Sequence, residues 1–210
     1  MKKIIFAILF VLPALALRAD GRGEEILRRM ATSFASYNSY KIEFSATMAG
    51  EFTALPGTLI VSGEKYYLDV YDSEIFFDGK DGYTYSESNG EVIIETPDPD
   101  DYRLFANPAR IFQVYGRDYS PTFKSNTTLN GKSVAVLELT PKSAASGYST
   151  LTLYANALDG MPVRMVYRLE EYGNDLVLDI TKITLGAHVT PETFVFDPAQ
   201  YPDVEIIDFR

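Results

Sequence analysis

Very little of this chain is equipped for covalent or acid–base chemistry. Its one histidine, His188, stands beside a turn, there is no cysteine, and no Gly-x-Ser-x-Gly elbow occurs. A nucleophilic triad would therefore rest on His188 alone, without a third group to orient it. Glu91 and Glu95 have the same-face spacing of a strand and so imitate a glycosidase pair, but nothing else around them suits a sugar. Asp98, Asp100 and Asp101 supply oxygen ligands without the glycine and distal glutamate of a calcium loop, and they read as a solvated acidic turn. Asn126-Thr127-Thr128 matches a glycosylation sequon and carries no further signal. The residues that do recur in a pattern are aromatic and aliphatic, so the chemistry on offer is the burial of apolar surface. Binding is expected rather than catalysis, with no cofactor and no metal.

The densest such pattern is KYYLDVYDSEIFFDGKDGYTYSESNGEVIIE, Lys65 to Glu95. Tyr66, Leu68 and Val70 share one face of a strand and Tyr67, Asp69 and Tyr71 the other, so Asp69 marks the wet side. Asp78-Gly79-Lys80-Asp81-Gly82 and Asn89-Gly90 are hairpin turns, because Gly and Asn accept positive φ. Ile75 and Phe77, and then Tyr83 and Tyr85, are expected to continue the Tyr66, Leu68, Val70 face onto the next strands.

Other elements must frame this segment. Ile26, Leu27, Met30, Phe34 and Tyr37 fall at helical spacing after an acidic first turn and predict an amphipathic helix of about four turns from Asp20 or Gly23. Strands are expected over 40–48 and 57–62. A short second helix is capped by Asn107 and Pro108, carries Ile111, Phe112 and Tyr115 as its stripe, and ends at Gly116. Beyond it, turns at Asn130-Gly131, Asp159-Gly160 and Gly173-Asn174 set strands near 122–129, 133–140, 149–158, 162–172 and 175–186, with a last one through Phe194-Val195-Phe196.

The N-terminus reads as an export signal. Lys2 and Lys3 precede an apolar run from Ile4 to Leu17, with small residues for cleavage near Ala16 or Ala19. The run is about 14 residues, short of the roughly 20 that span a bilayer. Residues 1–19 are therefore expected to be removed and 20–210 to form one exported domain. Their loss deepens the net charge from −10 to about −13, which repels nucleic acid and anionic lipid and favours partners with a basic face. A protein exported without disulfides needs a sizeable core. About ten strands at roughly 4.8 Å spacing give a sheet too wide for two helices to cover if it stays flat. The expected fold is thus mainly β, an incomplete antiparallel barrel of about 10–11 strands with helices over its concave apolar face.

In this order the motifs resemble a known family. SYKIEFSATM, GTLIVSGEKYYL, the DGKDGYTY turn, NPARIF, LELTPK, TPETFVFDP and the terminal DVEIIDFR follow the sequence of elements in LolA, the periplasmic carrier of lipoproteins. The resemblance implies a monomer whose cavity takes the acyl chains of lipoproteins, receiving them from an inner-membrane release complex and passing them to an outer-membrane acceptor. It implies a cavity wall of Tyr66, Leu68, Val70, Ile75, Phe77, Tyr83 and Tyr85, and a movable lid presenting Leu27, Met30, Phe34, Ile111, Phe112 and Tyr115. One departure stands out. Where the family carries an arginine followed by proline, the arginine helping to hold the lid closed, this chain has Gly63-Glu64-Lys65, and Lys65 lacks the bidentate fork. A lipid-binding or sensor module on the same scaffold is the alternative reading.

Overall fold

The computed structural model describes residues 14–98, 101, 107–108, 112, 118–143, 148–169 and 173–210, with side chains from 21 onward. Helix α1, Ala14–Ala35, carries Ile26, Leu27, Met30 and Phe34 in one buried stripe. It begins within the stretch expected to be a leader. Tyr37 is a correction: it continues the spacing of the stripe but lies beyond the helix end and is 49% exposed. Only three residues separate α1 from the first strand, and reversing the chain within them turns Tyr37 outward.

The strands are β1 (Ser39–Met48), β2 (Leu55–Ser62), β3 (Lys65–Val70), β4 (Ser73–Phe77), β5 (Gly82–Ser86), β6 (Glu91–Glu95), β7 (Tyr119–Leu129), β8 (Lys132–Pro141), β9 (Tyr148–Asn156), β10 (Pro162–Leu169), β11 (Asp175–Leu185) and β12 (Glu205–Asp208). They form one 12-stranded sheet in the order β12-β6-β5-β4-β3-β2-β1-β11-β10-β9-β8-β7. Neighbours are antiparallel except β12, which runs parallel to β6. Asn130 and Gly131, both at positive φ, make the two-residue turn from β7 to β8 whose twist suits a hairpin.

The sheet curls without closing, as the width argument requires. Leu59 and Leu68 from its first half and Ile42, Leu137, Leu153 and Met165 from its second belong to one continuous core. Opposite Glu43 and Phe44 the register skips one residue, Thr181, so β11 carries a bulge against β1 near the middle of the sheet. At the same place Gly57 lets the Phe44 ring lie where a Cβ would stand only 2.4 Å away. Because that ring is itself buried, Gly57→Ala should cost about 1–3 kcal/mol by overpacking, measurable as a lower urea midpoint at unchanged slope.

The end of the chain departs from the expected last strand. Phe194 ends a 3-10 turn, Pro191–Phe194, and the final strand is β12. Phe194 and Phe196 are both buried, and their alternation imitated a strand. This C-terminal segment covers the convex side of β3 to β6 and makes a second core of Phe76, Val92 and Phe196 with Tyr67, Tyr83, Tyr85, Tyr201 and Val204 around it. The face marked wet by Asp69 is therefore wet only in part. Tyr67 and Tyr201 both donate to Glu74 Oε2, at 2.7 and 3.1 Å, and burial followed by that hydrogen bond pushes the Tyr67 hydroxyl well above its ordinary range.

A buried carboxylate pins the tail. Asp81, 4% exposed, accepts from Thr96 Oγ1 at 2.8 Å and from Arg210 Nη1 at 2.9 Å, with Lys80 Nζ at 3.2 Å. Thr96 first and Arg210 second hold its pKa below the ordinary 3.8, and Arg210 lowers that of Asp208 to about 2. Depressed carboxylate pKa values contribute stability that is complete above pH 3.8 and lost as the pH falls through the folded values. Asp81→Asn should accordingly flatten the acid side of the stability curve below pH 3.8, read from urea midpoints at stepped pH, and leave the neutral branch parallel to wild type.

Candidate apolar binding site

The concave face is built strand by strand from alternate residues. β1 contributes Tyr40, Ile42, Phe44 and Ala46, β2 contributes Leu59 and Val61, and β3 contributes Tyr66 and Leu68, all buried in the same core. Across β3 and β4 the register pairs Tyr66 with Phe77 and Leu68 with Ile75, so the expected neighbours do share this face. The Tyr66 and Phe77 rings stack at 5.2 Å. Val70, Ile75 and Phe77 are half-buried against the core.

Tyr83 and Tyr85 do not join them. Phe76 pairs with Tyr83 and Glu74 with Tyr85, placing both tyrosines on the convex side. There Tyr83 stacks on Phe196 and Tyr85 tilts against Tyr201 at 4.6 Å. The cause is the turn between β4 and β5, whose four residues pair Phe77 with Gly82 and so exchange odd for even positions on each face. Thr84 stands next to Ile75 on the concave face, and Ile93 stands beyond Thr84. Gly82 and Ser86 flank Thr84, and Glu95 and Glu91 lie beyond them on β6. The apolar surface thus gives way, past β4, to hydroxyls and two carboxylates. Tyr66 feels Glu95 as well as burial, and its hydroxyl is pushed above its ordinary range mainly by the burial.

On the other half of the sheet Leu137 and Leu139, Leu151 and Leu153, and Met165 and Tyr167 fill the face from β8, β9 and β10, all at most 3% exposed. The buried hydroxyls of Tyr119 and Tyr148 bond each other at the ends of β7 and β9, and Tyr148 meets Tyr167 edge-on at 5.1 Å.

α1 lies across this second half. Leu27, Met30 and Phe34 are buried as expected of a covering helix, at 2%, 0% and 1% exposure. Phe34 meets both Tyr40 and Phe112 at 4.8 Å, so Phe112 reaches the same cluster. Of the expected second helix only Asn107, Pro108 and Phe112 are described; the others, including Ile111 and Tyr115, lie outside the described residues. At about 1.5–3 kcal/mol per fully buried side chain, withdrawing Ile26, Leu27, Met30 and Phe34 together would cost on the order of 6–12 kcal/mol.

Polar ties add to this. Among the described residues they run through two arginines that no motif or periodicity in the sequence singles out. Arg22 donates to Asn126 Oδ1 at 3.0 Å and stacks over the Phe123 ring at 4.3 Å, both on β7. Arg29 donates to the Leu158 carbonyl at 3.0 Å in the turn from β9 to β10. Two glycines permit the close approach. Gly23 is buried beside Pro121 and Phe123, and Gly160, at φ 77°, leaves 3.1 Å between its missing Cβ and the Ile26 carbonyl. Gly23 holds a place in the helical stripe three and seven residues before Ile26 and Met30, which is the one sequence signal of that contact. Lys65 lays its stem beside Gly79 in the turn from β4 to β5.

Three comparisons bear on this arrangement. No protein-family profile and no curated protein matches the chain. Solved structures do resemble it. An uncharacterized conserved protein from Thermus thermophilus superposes with a TM-score of 0.61 at 11% identity, over 89% of this chain and 99% of that one. A DUF1329 family protein from Desulfovibrio piger gives 0.51 at 12%, over 84% and 97%. A LolA superfamily protein from Nitrosomonas europaea gives 0.44 at 14%, over 83% and 97%. The first two likenesses establish a shared fold, a mainly β, open, curled sheet with a helix across it.

Proposed function

We propose that residues 20–210 act as one periplasmic binding domain that holds the acyl chains of lipoproteins against the concave face and carries them from the inner to the outer membrane. The observation that carries this reading is the half-buried margin of Val70, Ile75 and Phe77, which continues a core of buried aromatic and aliphatic side chains and keeps part of its own apolar surface exposed. Rigid rings such as Tyr66 and Phe77 suit the role because they bury much area at little entropy cost.

Magnitudes shape the mechanism. At about 0.8 kcal/mol per buried CH₂, drawing two or three acyl chains from a bilayer costs tens of kcal/mol, beyond what a soluble protein returns on binding. Loading is accordingly driven by an inner-membrane release complex and unloading by an outer-membrane acceptor, with the carrier, as a monomer, supplying shelter in between. The acidic surface favours a basic docking face on those partners.

The experiment is purification from the periplasm followed by mass spectrometry of bound material, together with depletion of the protein. Co-purified acylated protein and mislocalised lipoproteins on depletion are expected. Lipoproteins that reach the outer membrane normally without this chain would sink the carrier role. Gly63-Glu64-Lys65, in place of the family's closing arginine, favours a second reading in which the same face holds a lipid without ferrying lipoproteins. Free lipid in place of acylated protein would select it.

A further inference from the structure

We infer that α1 is a fixed wall of the site and that acyl chains enter over the other half of the sheet, past Ile75 and Phe77, with the polar part of the cargo resting over β5 and β6. The inference rests on the binding reading above and specifies where that binding begins.

α1 is held at three places. Its C-terminal end is joined to β1 by three residues and clamped by Phe34 between Tyr40 and Phe112. Arg29 and the close approach at Gly160 fasten its middle to the turn from β9 to β10. Arg22 and Gly23 fasten its N-terminal part to β7. Lifting it would break all three ties and bare four side chains that are at most 2% exposed.

The opposite side differs in burial and in polarity. Ile75 and Phe77 are half-buried, and the next residues along the same face, Thr84 and then Glu91 and Glu95 around Ile93, change the surface from apolar to hydroxyl and carboxylate within two strands. An amphiphile meeting that boundary lowers its free energy in one orientation. Its hydrocarbon lies inward over Ile75 and Phe77, and its polar end stays in water above β5 and β6.

The test uses the full chain, whose lack of cysteine makes engineered thiols unambiguous. A Cβ on Gly23 would stand 3.4 Å from the Pro121 Cβ, close to the roughly 3.8 Å of a disulfide, so Gly23→Cys with Pro121→Cys locks α1 to β7 on oxidation. Uptake of a fluorescent long-chain fatty acid is expected to agree within about twofold between oxidised and reduced protein. Loss of uptake on oxidation that reduction restores would overturn the fixed wall. Independently, Thr84→Cys capped with a bulky maleimide should slow uptake about tenfold, since the cap stands where the polar end of the cargo rests and across its path inward. An unchanged rate would overturn the entry route. Wild-type protein that takes up no fatty acid in either assay removes the binding reading itself, an outcome distinct from both.

Discussion

Ile75→Glu should abolish uptake of acyl ligand while leaving the protein folded. Ile75 is half-buried on the concave face beside Leu68 and Thr84, so in the free protein a carboxylate there can remain hydrated. The expected loss of stability is about 1–2 kcal/mol, within the ordinary range for a partly buried substitution. A bound acyl chain would remove that water, and the cost of an unpaired buried charge then falls on the complex. Affinity for a long-chain fatty acid should drop by more than about tenfold, with Ile75→Leu close to wild type as the control for shape. Calorimetric titration beside a thermal melt separates the two effects. A glutamate at 75 that binds as well as isoleucine would place the site elsewhere. Leu68 makes the contrast, because it is 2% exposed and Leu68→Glu should unfold the chain rather than empty the site.

The second large effect falls on the helix. Phe34→Ala is expected to cost about 3–5 kcal/mol, the range for removing a fully buried aromatic side chain. Its ring is 1% exposed and bridges α1 to β1 through Tyr40 and to Phe112, each at 4.8 Å. That loss is a large part of the total stability of a typical domain, so the variant should melt far below wild type and lose the protection of α1 amides in hydrogen exchange together with those of β1. Were α1 protection to vanish while the sheet kept its own, the helix would be an independently opening unit, and the fixed wall would fall with it.

Much of this arrangement was legible in the chain itself. Alternation from Tyr40 to Met48 and from Lys65 to Val70, the Asn130-Gly131 and Asp78 to Gly82 turns, and the stripe of Ile26, Leu27, Met30 and Phe34 each have a local cause in side-chain period or in the φ a turn requires. These signals yielded the strands, the helix and, through the width of the sheet, its curl. The apolar wall was legible as far as Phe77.

Beyond Phe77 the local pattern misleads for an identifiable reason. Period two says which residues of one strand share a face, but the phase between strands depends on how many residues the turn consumes. Here that number sent Tyr83 and Tyr85 to the convex side and brought Thr84 beside Ile75. The same limit hid the tail. Phe194 and Phe196 alternate as a strand would, but the ionic latch of Arg210 to Asp81 and the bond of Tyr201 to Glu74 join positions 129 and 127 residues apart, which no local pattern records.

The sequence by itself thus determined what most of the described segments before the C-terminal tail are, since helix, strand and turn there follow from neighbours within a few residues. Only the tertiary structure decided which face each strand turns to the concavity, that Arg22 and Arg29 fasten α1, and where the apolar wall gives way to hydroxyls and carboxylates. Those are properties of register and of contacts between distant segments, set by the packing of the whole sheet at once.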